Sequence, residues 1–205
     1  MEIVCLDLEG VLVPEIWIDF ADLTGIDALK ATTRDIPDYD QLMRQRLRLL
    51  DEHGLGMDDI QRVVAEMKPL TGAAEFVDWV RARYQLVILS DTFYEFAQPL
   101  MRQLGWPTLF CHRLVVDGSG RIADYQLRMH DHKRAAVNAF RGLNFRTIAA
   151  GDSYNDTNML QAAHTGIFFR PPRNVVDEFP QFPVCEQYGE LQARIEEGFR
   201  ARHEP

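Results

Sequence analysis

Two carboxylates interrupt an apolar run close to the start of the chain. Asp7 and Glu9 lie between the apolar residues 3–6 and 11–13, and Gly10 directly follows them. A short apolar run rich in branched residues is typical of a strand buried on both faces, and Gly10 predicts that the strand ends there. Two like charges this close repel unless a cation lies between them or one is protonated. The pair therefore indicates metal binding or proton transfer, unless the stretch is simply a strand that ends in a polar turn.

Further polar residues flank later apolar runs. Ser90 directly follows the apolar run 86–89, and Lys133 opens a predicted helix. Asp152 and Asp156 belong to the sequence Gly-Asp-x-x-Asn-Asp, which follows another apolar run. A turn glycine with two acids four residues apart is typical of a loop that holds a cation. Ser90 or Lys133 alone would indicate only a helix cap or a surface side chain.

The elements that must position these side chains can be predicted from the spacing of apolar residues. From residue 72 onward apolar runs alternate with amphipathic segments, which predicts an α/β fold with a doubly wound parallel sheet. The carboxyl ends of parallel strands lie at one edge of the sheet, so these polar residues can converge there. We predict strands at residues 3–6, 86–89, 109–111, 114–116, 122–127, 147–150 and 166–169, and helices at residues 73–83, 96–104, 133–140 and 157–163.

Residues 15–70 have only helical spacing. The predicted helices cover residues 16–23, 39–50 and 58–67, with a loop at residues 32–37. A helical insertion after the first strand predicts a cap domain of residues 15–70 over a core domain of residues 1–14 and 71–205. We also predict that the proline-containing tail, with a charged helix near residues 190–202, packs at the periphery. Trp17, Trp79 and Trp106 are interpreted as packing residues, and His130 and His132 as an exposed pair.

The composition and net charge of the chain argue against some classes of binding partner. The chain has 205 residues, 46% of them hydrophobic, and a net charge of −9. This describes a globular protein of one domain, or of one core domain with a modest insertion. It argues against a nucleic-acid or anionic-membrane partner, since both require basic patches. Cys5 and Cys111 lie in apolar runs, which favours buried thiols in a reducing compartment. With no basic leader or long apolar segment, we expect a cytoplasmic protein.

The order of these motifs resembles the haloacid dehalogenase superfamily of phosphatases over nearly the whole chain. An Asp-x-acid pair, a strand-terminal serine, a lysine and Gly-Asp-x-x-x-Asp follow one another as they do there, and the resemblance implies a Rossmann-like core. It also implies that Asp7 is a nucleophile and Glu9 a general acid and base. Mg²⁺ would be held by Asp7, the backbone carbonyl of Glu9 and Asp152, with Asp156 supporting these ligands.

Within the superfamily, the chain most resembles the phosphoserine phosphatases. Its sequences Asp7-Leu-Glu-Gly-Val-Leu-Val, Pro69-Leu-Thr-Gly-Ala and Val87-Ile-Leu-Ser90 are similar to that family in residues and order. Glu9 stands where that family usually has Asp, and Asp91-Thr92 where it has Gly-Gly. This combination resembles the bacterial phosphoserine phosphatases that are also phosphoserine:homoserine phosphotransferases and are linked to threonine biosynthesis.

The resemblance also implies how a substrate is bound. Glu15 would receive the ammonium of phosphoserine, and Arg46 would bind its carboxylate, for which a planar guanidinium is suited. Arg46 can also be interpreted as an exposed helix residue, like its neighbours Arg44 and Arg48. The remaining substrate-binding residues would be Ser90, Asp91, Lys133 and Asn155.

Three other interpretations stay open at this point. A haloacid dehalogenase would use Asp7 without the magnesium ligands or a proton-transferring Glu9. A non-catalytic sensor of a phosphorylated metabolite would usually lack one of the reactive residues. A phosphatase for another small metabolite would share everything except the contacts expected of Glu15 and Arg46. The sequence leaves the oligomeric state open, with a homodimer as one option.

Overall fold

A central strand carries the first motif. The structure, a computed structural model, describes residues 1–32, 35–36 and 38–201. Strand β1 (Glu2–Leu6) pairs in parallel with β2 (Gln85–Phe93) on one side and with β5 (Arg146–Gly151) on the other. Its side chains from Val4 to Leu6 are fully buried, which explains the unbroken apolar run.

The sheet confirms the predicted α/β architecture. The described residues form seven strands in the order β4-β3-β2-β1-β5-β6-β7, parallel except for the hairpin of β3 and β4. From β1 the chain builds outward through β2 and β3 and later returns to the other side through β5 and β6. The order of the strands therefore reverses between β1 and β5, which is where such sheets bind ligands. The other strands are β3 (Thr108–Val116), β4 (Ile122–Gln126), β6 (Thr165–Phe169) and β7 (Val184–Cys185).

Helices cover both faces of the sheet. Alternate residues of β1 belong to different apolar clusters, with Val4 and Leu6 in one and Ile3 and Cys5 in the other. The first cluster includes residues of α4, α5 and α9, and the second includes residues of α6, α7 and α8. These helices are α4 (Ala73–Arg81), α5 (Tyr94–Gln103), α6 (His132–Gly142), α7 (Thr157–Ala162), α8 (Arg173–Glu178) and α9 (Tyr188–Arg200).

The segment between β1 and α4 is helical, as predicted. It contains α1 (Ile16–Thr24), α2 (Tyr39–Glu52), α3 (Met57–Glu66) and an additional 3₁₀ helix, Asp27–Lys30. The chain enters this segment after β1 and leaves it before α4. These two connections are joined by a hydrogen bond of 2.9 Å from the N–H of Leu70 to the carbonyl of Leu12. The predicted loop at residues 32–37 falls partly outside the described residues. The division into a cap and a core domain stays a prediction.

The β3–β4 hairpin holds helix α2 through polar contacts. Arg121 of the hairpin lies 2.6 Å from Asp51, and Arg44 of α2 lies 3.0 Å from Asp124. The hydroxyl of Tyr125 also donates to Asp40 at 2.6 Å. These contacts are largely exposed, so they orient α2 more than they stabilise the fold.

The prediction of a peripheral tail is wrong. Strand β7 extends the sheet beside β6, and α9 buries Leu191, Ile195 and Phe199 against the core. These three apolar residues recur every four positions, a helical stripe that the surrounding charges obscure in the sequence.

Two other local predictions also need correction. Trp106 is 57% exposed rather than packed, because it follows Gly105 in a turn and has a positive φ of 56°. The two short strands predicted at residues 109–111 and 114–116 are one strand, β3, since the polar His112 between them is buried within it. Among the described residues, no helix is both long and apolar enough to span a membrane.

Candidate active site

A pocket at the carboxyl edge of the sheet, bordered by the helical segment, collects the predicted site residues. Asp7 enters from the end of β1, Ser90 from β2, Asp152 from the end of β5 and Lys133 from the first turn of α6. Asp156 joins them through its ion pair with Lys133. The pocket is lined by Asp7, Glu9, Glu15, Trp17, Ile18, Thr32, Tyr39, Leu42, Arg46, Ser90, Asp91, Thr92, Lys133, Asp152, Ser153 and Asn155.

Asp7 is a buried carboxylate held at the end of β1. Its backbone N–H donates to the carbonyl of Ala150 at 2.9 Å, which extends the pairing of β1 with β5. Its Oδ1 lies 3.1 Å from Nζ of Lys133. Burial first, and the Asp156 carboxylate next, raise the pKa of Asp7, and Lys133 offsets this only in part. An additional cation would therefore favour the ionised form that a nucleophile requires.

Asp156 organises the loop after β5 and is fully buried. Its Oδ2 accepts the backbone N–H groups of Asp152 at 3.0 Å and Ser153 at 3.1 Å, and its Oδ1 accepts Nζ–H of Lys133 at 2.9 Å. A Cβ on Gly151 would collide with this side chain, so the glycine is needed for the close approach. With both oxygens already accepting hydrogen bonds, Asp156 suits a supporting role better than direct contact with a ligand.

Three carboxylates form a group that fits a divalent cation. One oxygen each from Asp7, Asp152 and Asp156 lies within 4.8 Å of the others. Burial, and then the nearby Asp156, raise the pKa of Asp152 to about 7. Lys133 is the one ammonium in contact with this group among the described residues, so negative charge is in excess. Hard oxygen donors in this arrangement suit Mg²⁺.

Glu9 has the properties of a proton-transfer group. Its Oε2 accepts the backbone N–H of Ile16 at 2.9 Å, which fixes the side chain against the start of α1. Burial first, and the nearby Glu15 next, raise the pKa of Glu9 to about 8. A carboxyl group with a pKa near neutrality can both give and take a proton under physiological conditions.

Arg46 differs sharply from the arginines beside it. Arg44 and Arg48 are exposed, whereas Arg46 is 8% exposed and its guanidinium stacks on Trp17 with 4.5 Å from Cζ to the ring centroid. Its Nη2 donates to the carbonyl of Ala31 at 2.9 Å, but its buried Nε–H has no partner within the described residues. Burial lowers the pKa of Arg46 to about 10 despite the neighbouring acids. These observations contradict an exposed helix residue and place a guanidinium in the wall of the pocket, where it suits an anionic ligand.

The remaining predicted substrate-binding residues line the same pocket from different depths. Ser90 is buried, and its Oγ accepts the N–H of Thr92 at 3.2 Å, which leaves its own proton to donate. Glu15 and Asn155 are exposed at the rim. The buried hydroxyl of Thr92 has no hydrogen-bond partner in the described part of the chain.

The two buried histidines beside Asp91 were not predicted from the sequence. The prediction that His130 and His132 form an exposed pair is wrong for His132, which is 3% exposed and has its Nε2 3.2 Å from Oδ1 of Asp91. Nε2 of the buried His112 on β3 lies 3.6 Å from the same oxygen. Asp91 itself could have indicated them, because a carboxylate beside a strand end requires hydrogen-bond donors or cations as partners. Trp17 is a packing residue, as predicted, but it also lines the pocket.

Comparison with known proteins shows the family of this chain. Residues 1–164 match the family model of the haloacid dehalogenase-like hydrolases. The chain belongs to this family. As a haloacid dehalogenase-like hydrolase, it is 70% identical to a phosphoserine phosphatase, ThrH, of Pseudomonas aeruginosa, over 93% of both chains. It is 66% identical to a phosphoserine phosphatase of Pseudomonas syringae pv. tomato, over 93% of this chain and 81% of that protein.

Solved structures of more distant proteins share the fold of this haloacid dehalogenase-like hydrolase. A phospho-aspartyl intermediate analogue of phosphoserine phosphatase superposes with a TM-score of 0.76 at 19% identity, over 94% of this chain and 98% of that one. Such a distant likeness supports the architecture of the sheet and its helices.

Proposed function

We propose that the chain is a Mg²⁺-dependent phosphoserine phosphatase that acts through an aspartyl-phosphate. The observation that carries this proposal is that one pocket holds both the buried Asp7–Lys133 pair and the buried guanidinium of Arg46. The first suits a phosphoryl group and the second a carboxylate, and phosphoserine has both. The 70% identity to a phosphoserine phosphatase over nearly the full length supports the same substrate.

The proposed metal ligands are Asp7, the backbone carbonyl of Glu9 and Asp152. Bound Mg²⁺ would neutralise charge on the phosphoryl group, so that a carboxylate can approach it. Lys133, the hydroxyl of Ser90 and Asn155 would bind the remaining phosphate oxygens. Asp156 would hold Lys133 and the loop after β5 in place.

The reaction follows from the roles of two carboxyl groups. A carboxylate oxygen of Asp7 attacks phosphorus, the bond from phosphorus to the serine oxygen breaks, and Asp7 carries the phosphoryl group. Protonated Glu9 gives its proton to the departing serine oxygen. Ionised Glu9 then takes a proton from the acceptor, which attacks phosphorus and restores the Asp7 carboxylate. A pKa of about 8 for Glu9 suits both directions of proton transfer.

The helical segment would provide specificity. Arg46 would bind the substrate carboxylate with its guanidinium, held in orientation by Trp17, and Glu15 would receive the ammonium group from the rim. A closed segment would also exclude water from the phosphoryl group while serine departs.

Homoserine is a second acceptor in this proposal. After serine leaves, Arg46 and Glu15 again offer one site for a carboxylate and one for an ammonium group, and homoserine has both. The hydroxyl of homoserine is one methylene group farther from Cα than that of serine. The side chain of Glu9 is likewise one methylene group longer than that of the usual Asp. The similarity of Asp7-Leu-Glu-Gly and Ser90-Asp-Thr to the bifunctional phosphatases supports this further activity and a role in serine and threonine biosynthesis. A cytoplasmic location fits, since the thiols of Cys5, Cys111 and Cys185 are free.

The decisive experiment is a screen of phosphorylated amino acids and sugars with and without Mg²⁺. We expect phosphoserine to be the best substrate and a chelator to abolish phosphate release. Asp7→Asn, which keeps the shape of the side chain but removes the attacking charge, should abolish turnover while the thermal unfolding midpoint shows an intact fold. A best substrate without an α-carboxylate would contradict the assigned specificity, and substantial turnover by Asp7→Asn would contradict the mechanism. Binding without turnover in the native protein would favour a sensor.

A further inference from the structure

Asp91 is held between the site lysine and two buried imidazoles. Its Oδ2 lies 3.2 Å from Nζ of Lys133, and its Oδ1 lies 3.2 Å from Nε2 of His132 and 3.6 Å from Nε2 of His112. The imidazoles are 3% and 4% exposed, whereas the Asp91 side chain is 38% exposed and lines the pocket. Both oxygens of one carboxylate are therefore engaged, one by the ammonium and one by the histidines.

The hydrogen bonds of the histidines show why this group is not a metal site. The backbone N–H of Arg128 donates to Nδ1 of His112 at 3.1 Å, so the proton of this ring lies on Nε2, which faces Asp91. The buried Nδ1 of His132 has no hydrogen-bond partner in the residues described, so a proton there would be unsatisfied, and Nε2 carries it instead. A metal ion on either Nε2 would force the ring proton onto Nδ1, where His112 already accepts the N–H of Arg128 and His132 has no acceptor among the described residues. His132 therefore donates to Asp91, and His112 directs its Nε2–H toward the same oxygen at 3.6 Å.

Three carboxylates surround the ammonium group of Lys133. An ammonium group has three N–H donors, and three carboxylate oxygens surround Nζ: those of Asp156 at 2.9 Å, Asp7 at 3.1 Å and Asp91 at 3.2 Å. Of these, Asp156 accepts a hydrogen bond from Nζ, and Asp7 and Asp91 form ion pairs with it. A phosphate oxygen that approaches Nζ must therefore compete with these carboxylates for the ammonium group. An ionised Asp91 has no donor of its own to offer a phosphate oxygen.

Asp91 is the partner that Lys133 can release at least cost. Asp156 is fully buried and also orders the loop after β5, and Asp7 must stay beside the phosphoryl group that it attacks. Asp91 is the most exposed of the three and keeps its imidazole donors when Lys133 turns away. Burial alone would raise the pKa of Asp91, but Lys133 and the two imidazoles outweigh it and hold this pKa well below its usual range. Asp91 thus stays negatively charged beside the phosphoryl position.

We propose that Asp91 is a displaceable counter-ion of Lys133, fixed by His112 and His132, that weakens the binding of inorganic phosphate to this site. The inference rests on the proposed function, which places a phosphoryl group beside Lys133. An incoming phosphate must compete with Asp91 for the ammonium of Lys133 and then lie near a retained negative charge. The product phosphate leaves faster for this reason, so Asp91 limits product inhibition.

The test is titration calorimetry of inorganic phosphate into the protein with Mg²⁺ at constant ionic strength. Asp91→Asn, which can still accept the hydrogen bond from His132, should lower the dissociation constant for phosphate by roughly five- to fiftyfold. Asp91→Ser, a smaller neutral variant, should act in the same direction. In steady-state assays, both variants should show a lower inhibition constant for phosphate. Asp177→Asn is the matched control, because it removes one charge from an exposed carboxylate that pairs with Arg173 on α8.

The direction of the effect separates this proposal from structural damage. A variant that only disturbs the fold would bind phosphate more weakly, whereas the proposal requires tighter binding. Equal or weaker binding by both folded Asp91 variants, as judged by their unfolding midpoints, overturns it. If the native protein neither binds phosphate nor hydrolyses phosphoserine, the proposed function fails and takes this inference with it. Native hydrolysis of phosphoserine with unchanged phosphate binding in the variants refutes the inference alone.

Discussion

A Cβ built on Gly10 would lie 2.5 Å from the carboxylate of Asp152. Gly10 follows the first strand and Asp152 follows the fifth, so two segments far apart in sequence come into direct contact at the carboxyl edge of the sheet. Gly10 also has a φ of +73°, a conformation that residues with a Cβ adopt only at a cost. The glycine therefore meets two requirements, the turn after β1 and space for Asp152.

We expect Gly10→Ala to lose Mg²⁺ affinity and activity, because the added methyl group displaces the Asp152 carboxylate. Gly25→Ala is the matched control, since Gly25 has nearly the same φ of +72° and nothing within 4 Å of its Cβ position. Both variants should lose about 1 kcal/mol of stability from the backbone, measured by denaturant unfolding. Only Gly10→Ala should lose Mg²⁺ binding, measured by calorimetry. Equal Mg²⁺ affinity in the two variants would contradict this account.

The meeting of these strand ends could be predicted because it depends on local pattern alone. Apolar runs predict buried parallel strands, and parallel strands bring their carboxyl ends to one edge. Asp7, Ser90 and Asp152 come together for this reason, and Lys133 joins them from the helix before β5.

What could not be predicted depends on contacts between side chains from distant elements. His112 and His132 meet Asp91 only once β2, β3 and α6 are packed together, and each looks like an ordinary polar residue in its own segment. Burial of Arg46 likewise depends on Trp17, a residue of a different helix. The role of α9 was missed because its charged residues outnumber the apolar stripe that packs on the sheet.

The metal-free protein should become less stable as pH rises from 6 to 8.5. The folded-state pKa is about 7 for Asp152, against an ordinary value of 3.8, and about 8 for Glu9, against 4.5. At a pH between the ordinary pKa of each group and its raised pKa in the folded state, the folded protein binds more protons than the unfolded protein. The free energy of unfolding therefore falls as pH rises. The low pKa of Asp91 leaves that group ionised throughout this range.

Added Mg²⁺ should reverse this trend, because it replaces the protons that the carboxyl groups lose. We expect the increase in the unfolding midpoint caused by Mg²⁺ to grow from pH 6 to 8.5, as followed by calorimetric scans. Asp152→Asn should abolish most of that increase, whereas Asp177→Asn should leave it unchanged. An increase that is the same at every pH would argue against Asp152 as a metal ligand with a raised pKa.

Arg46→Ala should selectively impair substrates that have a carboxylate. Loss of a charge-assisted hydrogen bond costs about 1.5–3 kcal/mol, so kcat/KM for phosphoserine should fall by roughly one to two orders of magnitude. Hydrolysis of an aryl phosphate should change little. Arg48→Ala is the control, since Arg48 lies on the same helix but is exposed. Equal losses on both substrates would indicate that Arg46 is structural or binds phosphate.

The acceptor of the phosphoryl group can be identified by ³¹P NMR of phosphoserine, enzyme and Mg²⁺, with and without homoserine. In the proposed mechanism, the pocket can take a second amino acid once serine leaves, and Glu9 would deprotonate either the hydroxyl of that amino acid or water. We expect a phosphohomoserine signal to grow with homoserine concentration at the expense of inorganic phosphate. Arg46→Ala should lower this transfer more than hydrolysis, because water needs no carboxylate site and homoserine does. If inorganic phosphate is the sole product at saturating homoserine, the enzyme is a phosphatase without transferase activity, and the longer side chain of Glu9 has no bearing on the choice of acceptor.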